Sequence, residues 1–255
     1  MYTHIFDTHA HYDDLKFDED RDELLEKLPE NGVEYVINCG CDLKSCKKSI
    51  DICNSFNYFY CALGIHPSEI NDESDSELKK IIELSSFKKC VAVGEIGLDY
   101  HYDFVPKEKQ LIFFEKQLRF ALEADLPVIV HDREAHEDTL NLLKKYRPKG
   151  VLHCFSGSVE IAKEIIKLGM YIGLGGAVTF KNARKPLDVA KYLPDDRLLL
   201  ETDCPYMTPV PNRGKRCTSD MIAFTAEKIA EVRNTDAQQL IDKANENAFR
   251  LFNIR

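Results

Sequence analysis

The sequence predicts an α/β fold, a (β/α)8 TIM-type barrel. Three features lead there. Eight short apolar runs are spaced along the chain, amphipathic stretches of helical period lie between them, and polar residues of catalytic type stand at the ends of several runs.

The runs occupy residues 5–9, 35–39, 58–64, 90–95, 128–131, 151–155, 171–174 and 198–201. They are rich in Val, Ile, Leu and Cys and are bounded by Gly, Pro, Asn or Asp, which punctuate strands. Several are apolar without interruption, as parallel strands covered on both faces are. After the fourth run, Leu111, Phe114, Leu118, Ala121 and Leu122 fall at helical spacing. Pro106 stands just ahead of them, where a missing N–H costs little. Ile161, Ile165 and Leu168 follow the sixth run, behind Ser158 as N-cap. Ala237, Leu240, Ile241, Ala244, Ala248 and Leu251 form the stripe of the last helix, with Thr235 as its expected cap. An open doubly wound sheet is the alternative. It would normally have fewer strands and a Gly-rich turn after the first, whereas this first run leads into Thr-His-Ala-His. The longest stretch without a clear element, 204–218, would lie at the C-terminal mouth of a barrel. No linker, repeat or low-complexity segment divides the chain, so residues 1–255 read as a single hydrolase barrel domain.

The chain has 255 residues, 44% hydrophobic and 30% charged, as soluble globular proteins do. Its net charge of −9 does not attract polyanions. A nucleic-acid substrate would have to be held by local features, and a general DNA-coating role is disfavoured. The nine cysteines are odd in number, irregularly spaced and without a C-x-x-C pair. The N-terminus lacks the pattern of a signal peptide, and no apolar run approaches the length of a membrane span. These features predict a reduced, cytoplasmic setting with most cysteines acting as small buried hydrophobes. They leave the oligomeric state open and are compatible with a monomer.

Chemistry concentrates at the ends of the runs. His9 and His11 are two apart on the first, so both imidazoles point the same way. His131 ends Pro-Val-Ile-Val-His, and His153 stands in Val-Leu-His-Cys-Phe. Glu95 follows Val-Ala-Val-Gly, and Asp203 follows Leu-Leu-Leu-Glu-Thr. Each alone has a plain structural reading: a core histidine bonded to a carbonyl, or a carboxylate in a buried ion pair. Together they place four imidazoles and two carboxylates at C-terminal strand ends, where barrel enzymes carry their catalytic groups. Such mixed N and O donors suit two divalent ions, Zn²⁺, Mn²⁺ or Mg²⁺, better than Ca²⁺. Glu95 or Asp203 could bridge ions about 3.5–4 Å apart, and Asp203 could accept a proton from the attacking water.

At these residues the sequence resembles the TatD family of metal-dependent deoxyribonucleases. The motifs are D-T-H-A-H at 7–11, G-I-H-P at 64–67, V-G-E-I-G-L-D-Y at 93–100 and V-I-V-H-D-R at 128–133. They continue with H-C-F-S-G at 153–157, L-L-E-T-D-C-P-Y at 199–206, N-R-G-K-R at 212–216 and N-E-N-A-F-R-L-F at 245–252. They keep the family's order over nearly the whole chain. The resemblance implies a TIM-type barrel and hydrolysis of DNA, often as a 3′→5′ exonuclease, through a metal-activated water. It implies metal ligands at His9, His11, Glu95, His131, His153 and Asp203, and an active-site role for His66. Two positions depart from the family pattern: Cys217-Thr218-Ser219 replaces Asn, an acidic residue and Pro, and Tyr102 stands where many members carry Arg. Both are expected to border the substrate groove.

Arg213, Lys215 and Arg216 form a basic loop in an acidic protein and are expected to hold substrate phosphates, with Arg133 a further candidate. Tyr100, Tyr102 and Tyr206 could stack on bases. His4, His101 and His136 have no matching partners and read as ordinary surface residues. Three readings therefore stand: a deoxyribonuclease, a metal-dependent ester or amide hydrolase such as a mischarged-tRNA deacylase, and a non-catalytic nucleic-acid-binding module.

Overall fold

The computed structural model describes residues 1–254. Eight strands, β1 Ile5–Ala10, β2 Val33–Cys39, β3 Phe59–Leu63, β4 Cys90–Asp99, β5 Val128–Arg133, β6 Gly150–Leu152, β7 Tyr171–Leu174 and β8 Leu198–Leu200, pair in sequence order, every pair parallel. The ring closes between the last strand and the first only at their C-terminal ends. There Ala10 bridges Cys204, His11 N–H donates to the Cys204 carbonyl at 2.8 Å, and Asp203 N–H donates to the His9 carbonyl at 2.9 Å. Buried Asp7 reinforces this seam by accepting from Thr202 N (3.0 Å), Thr202 Oγ1 (2.6 Å) and Ser219 Oγ (2.6 Å). The fold is thus the predicted TIM-type barrel, nearly closed, with its seam at the mouth.

Helices follow the strands: α1 Arg21–Lys27, α2 Leu43–Ser55, α3 Ser74–Leu84, α4 Lys107–Glu123, α5 His136–Tyr146, α6 Val159–Lys167, α7 Arg184–Tyr192, α8 Ile222–Arg233 and α9 Ala237–Phe252. One side chain from each strand, Phe6, Ile37, Ala62, Ala92, Ile129, Val151, Tyr171 and Leu199, fills the interior, and Ala248, Leu251 and Phe252 of α9 close it from below. Asn247 of α9 donates to the Leu198 carbonyl at 2.9 Å and Asn245 to the His4 carbonyl at 2.7 Å, which ties the plug to the barrel floor. The N-E-N-A-F motif is therefore structural, and the opposite end of the barrel is left for chemistry.

Two local expectations change. The cap of α9 is Asp236, not Thr235: its carboxylate accepts from Gln239 N–H at 3.0 Å. The buried face of α4 is Gln110, Phe113, Phe114, Gln117, Leu118 and Ala121, while Leu111 is half-buried and Leu122 is 45% exposed. The two glutamines hide this face from a hydrophobic count. Each is buried because its amide satisfies strand-end backbone, as a buried polar group must. Gln117 accepts from Ile65 N–H (2.7 Å) and donates to the Ile65 carbonyl (3.0 Å). Gln110 does the same for Asp99 (2.8 and 2.9 Å). Helix α4 thereby fixes the ends of β3 and β4, beside His66 and Glu95.

Strands β6 and β8 end earlier than expected, at Leu152 and Leu200. Cys154 and Asp203 adopt positive φ, 43° and 62°, so the chain turns out of the ladder beside each functional side chain. Such left-handed non-glycine residues cluster where a side chain must be aimed.

Candidate metal centre

Glu95 organises the mouth of the barrel. It comes from β4, is almost fully buried, and turns its two oxygens toward different sets of imidazoles. Its Oε2 lies 3.3 Å from His9 Nε2 and 3.4 Å from His11 Nε2. Its Oε1 lies 2.7 Å from His153 Nε2, 2.9 Å from His131 Nδ1 and 3.6 Å from His66 Nε2. Asp203 joins the first set, its Oδ1 3.4 Å from His11 Nε2 and 3.7 Å from His9 Nε2. All six predicted ligands and His66 thus meet in one cluster.

Hydrogen bonds on the far side of each ring decide what the near side offers. His11 Nδ1–H donates to the Cys39 carbonyl at 2.9 Å, so Nε2 presents a lone pair. That lone pair faces His9 Nε2 at 3.0 Å as well as the Glu95 and Asp203 oxygens. His131 Nε2–H donates to Asp99 Oδ2 at 3.1 Å, so Nδ1 likewise turns a lone pair toward Glu95 and toward His153 Nε2 at 3.3 Å. Acceptors converging on acceptors repel unless a proton or a cation sits among them. The donor groups His9–His11–Asp203 and His66–Glu95–His131 each lie within 4.8 Å, and the residues present fit divalent cations.

The electrostatics agree. Burial works against ionising Glu95, but His153, His66 and His9 around it outweigh burial and hold its pKa well below the usual range. Asp203 is lowered too: burial opposes ionisation, and His11, which donates to it when protonated, together with the nearby imidazoles overcomes that cost. Burial brings His9 down to about 4 and His66 down to about 3, so both rings are neutral at physiological pH. For His131 burial also lowers the pKa, but hydrogen bonds to Asp99 and Glu95 win and raise it to about 9. Cation and proton therefore compete for the same lone pair.

His66 differs from the other rings. Its Nδ1 accepts from Ser68 N–H at 3.2 Å, so a neutral His66 carries its proton on Nε2, pointing into the cluster.

Three carboxylates escaped the sequence reading. Asp99 orients His131 and itself accepts from His101 N–H at 2.9 Å. Glu201 lies under His153, its Oε1 3.8 Å from His153 Nδ1, and it accepts from Cys154 N–H. Neither His153 Nδ1 nor Glu201 Oε2 has a hydrogen-bond partner among the described residues. A Cβ at Gly173 would run into this carboxylate, which is why glycine stands there. Asp7 holds the seam. The signal for Asp99 was present: it lies four residues beyond Glu95 on one strand. Glu201 and Asp7, two residues from Asp203 and His9, looked like ordinary strand polar residues.

The cluster floors an open cavity of about 690 Å³, within the range of ligand pockets. Arg133 lines it, with Lys44 and Lys48. The loop residues Arg213, Lys215 and Arg216 do not. Arg216 is bidentate on Asp20 (2.7 and 2.6 Å) and donates to the Lys16 carbonyl. Arg213 lies 4.0 Å over the Phe180 ring and donates to the Thr208 carbonyl, and Lys215 donates to Asn212 Oδ1. The basic loop is mostly spent on protein partners. Of the two departures from the family pattern, Tyr102 lines the cavity, whereas Cys217, Thr218 and Ser219 are buried behind the seam. His4, His101 and His136 pair with Asp242, Glu134 and Asp132, outside the cluster.

Comparison with known proteins identifies the family. The family model of TatD-related DNases matches residues 6–253. The chain belongs to this family. Among its relatives, the metal-dependent hydrolase YabD of Bacillus subtilis is 42% identical, with 98% of this chain and 99% of YabD aligned. The 3′-5′ ssDNA/RNA exonuclease TatD of Erwinia tasmaniensis is 30% identical, over 98% of this chain and 100% of that one. The crystal structure of YjjV, a TatD homologue from Escherichia coli, superposes with a TM-score of 0.92 at 33% identity and full coverage of both chains. As a TatD-family protein the chain is a metal-dependent hydrolase. No helix among the described residues is long and apolar enough to cross a membrane.

Proposed function

We propose that this TatD-family hydrolase is a deoxyribonuclease that removes nucleotides from the 3′ end of DNA with two divalent ions, which the imidazoles and carboxylates around Glu95 would hold. The observation that carries this reading is the division of the imidazoles into two sets across one carboxylate, on the floor of an open cavity. Bound there, divalent ions lower the pKa of water toward neutrality and polarise a phosphoryl oxygen. His9, His11 and Asp203 would hold one, His131 and His153 the other.

The chain's own groups supply the rest. Asp203 has a partly exposed side chain facing the cavity, so it can accept the proton of the attacking water. His66 presents Nε2–H and can donate to a phosphoryl oxygen or to the leaving oxygen. Arg133 has no carboxylate partner among the described residues and can hold a phosphate. Asp13, Asp14, Asp42 and Glu69 also line the cavity, a wall that repels a long polyanion and favours access by a strand end. The relative named as a 3′-5′ ssDNA/RNA exonuclease supports the same substrate class.

The test is Asp203→Asn, which keeps size and one oxygen but removes the charge and the proton acceptor. Binding of an end-labelled oligonucleotide should change little, while turnover should fall by about 10²-fold or more. An unaltered kcat on the same preparation would remove Asp203 as the base. Failure of the wild-type protein to cleave DNA, with hydrolysis of an uncharged ester, would favour the deacylase reading.

A further inference from the structure

Tyr102 and Phe104 stand on the loop after β4, at the rim of the cavity that the metal cluster floors. Their rings are stacked in parallel, 5.1 Å between centroids at an interplanar angle of 7°. Both are far more exposed than apolar rings need be, Tyr102 at 44% and Phe104 at 72%. The Arg133 guanidinium lies 4.9 Å over the Tyr102 ring, and Arg133 follows His131 by two residues on β5. Phosphate-binding cation, aromatic column and metal-facing histidine are therefore contiguous.

Tyr206, on the cavity wall, is built differently. Its hydroxyl donates to Asp14 Oδ2 at 2.6 Å and Lys16 Nζ sits 4.0 Å over its ring, so that tyrosine is engaged by its own chain. The only aromatic neighbours of Phe104 and Tyr102, among the described residues, are each other and His101. Two large apolar rings left open to water at the edge of a polar site mark a surface that a ligand covers.

We propose that Tyr102 and Phe104 form the subsite for an unpaired nucleobase of the substrate strand, which stacks on the column while Arg133 holds the adjoining phosphate. The occupant is one flat heteroaromatic ring, because the rings are parallel and the cations beside them are few. A duplex end does not fit this role, since its bases already stack on each other and its second strand would bring more phosphates to the acidic wall. Stacking of this kind tolerates any base and gives single strands their affinity where backbone contacts are scarce. The inference rests on the nuclease reading and adds to it the part of the strand that this chain grips.

The experiment uses the full chain and single-stranded oligonucleotides of one sequence, with either a normal terminal residue or an abasic one at each of the last three positions. KM and kcat are measured for wild type, Tyr102→Ala, Phe104→Ala and Tyr102→Phe. Binding to metal-free protein is measured in parallel by fluorescence anisotropy. For wild type, one abasic position should raise KM and Kd about 10-fold. The two alanine variants should bind normal and abasic strands alike, at the weaker level, with kcat nearly unchanged, and Tyr102→Phe should keep the preference. Equal KM for normal and abasic strands in wild-type protein that still cleaves DNA would overturn the subsite and leave the nuclease reading intact. Absence of any DNA cleavage with Mg²⁺, Mn²⁺ or Zn²⁺ would overturn both.

Discussion

The two halves of the cluster are oriented by different means. On the Glu95 Oε2 side, His11 is fixed by a backbone carbonyl, that of Cys39, and His9 is wholly buried beside the Cys39 thiol, its Nδ1 3.4 Å from Sγ. On the Oε1 side, His131 is backed by the Asp99 carboxylate at 3.1 Å and is open to the cavity, while Glu201 lies 3.8 Å from His153 Nδ1 without a hydrogen bond. A carbonyl sets a tautomer. A carboxylate sets a tautomer and also raises the basicity of the ring. The difference leaves His9 as a neutral, wholly buried ring beneath the cavity and His131 as a basic ring that lines it.

The comparison can be broken at its centre. Glu95→Gln removes the charge that both halves share. On the two-ion reading it should lower bound metal at both sites and nearly abolish turnover, a loss larger than the ~10–100-fold typical of an outer partner. Metal analysis by mass spectrometry with a cleavage assay would check this. Retention of one full equivalent would mean that Glu95 does not bridge.

A sharper probe is Asp99→Asn, which touches one half only. Metal affinity should fall by ~10–100-fold in one of two binding steps and stay unchanged in the other. Isothermal titration of the metal-free protein resolves the steps, and an equal shift in both would deny that the halves are separable.

A smaller effect separates the two groups of cations. Arg133→Ala should raise KM for single-stranded DNA severalfold and flatten its salt dependence, because a phosphate contact that releases counterions is lost. Arg216→Ala should leave KM alone and cost at most about 1 kcal/mol of stability, the scale of a surface ion pair. Steady-state kinetics at several salt concentrations, with urea denaturation, distinguishes them. A raised KM in Arg216→Ala would return the basic loop to the substrate.

The mildest test concerns Glu201. Burial pushes its carboxyl up to about 8, whereas in the unfolded chain a glutamate titrates near 4.3. Between those values the unfolded chain gives up the proton more readily, so this group lowers stability as pH rises from about 4 to 8. Below that window the contribution vanishes, and above it the loss is constant. In metal-free protein, the stability of Glu201→Gln relative to wild type should therefore climb with pH across the window. A flat difference would show that Glu201 is ionised in the folded state.

Much of this molecule was legible from its residues. Eight apolar runs gave the barrel because strand periodicity and length are local properties. The six residues of the cluster were readable because a (β/α)8 barrel brings strand ends together whatever the loops do. Asp99 and Glu201 were not, since a carboxylate behind a histidine looks in sequence like any polar residue at a strand end. The α4 stripe was misread at Leu122 because Gln110 and Gln117 are buried by hydrogen bonds to Asp99 and Ile65, and hydrophobicity carries no record of such partners. Arg216 likewise resembled a phosphate ligand until its distance to Asp20, 196 residues away in the chain, was known.

The sequence by itself determined the barrel, the donor chemistry at its mouth and the family to which the chain belongs. Those follow from residue type and spacing, which act through the backbone geometry of strands and helices. Only the tertiary structure decided which ring nitrogen faces the centre, which cations are free and which aromatic rings stay open to the cavity. Each of these depends on a partner far away along the chain, and a hydrogen bond or ion pair exists only once folding has brought both groups within reach.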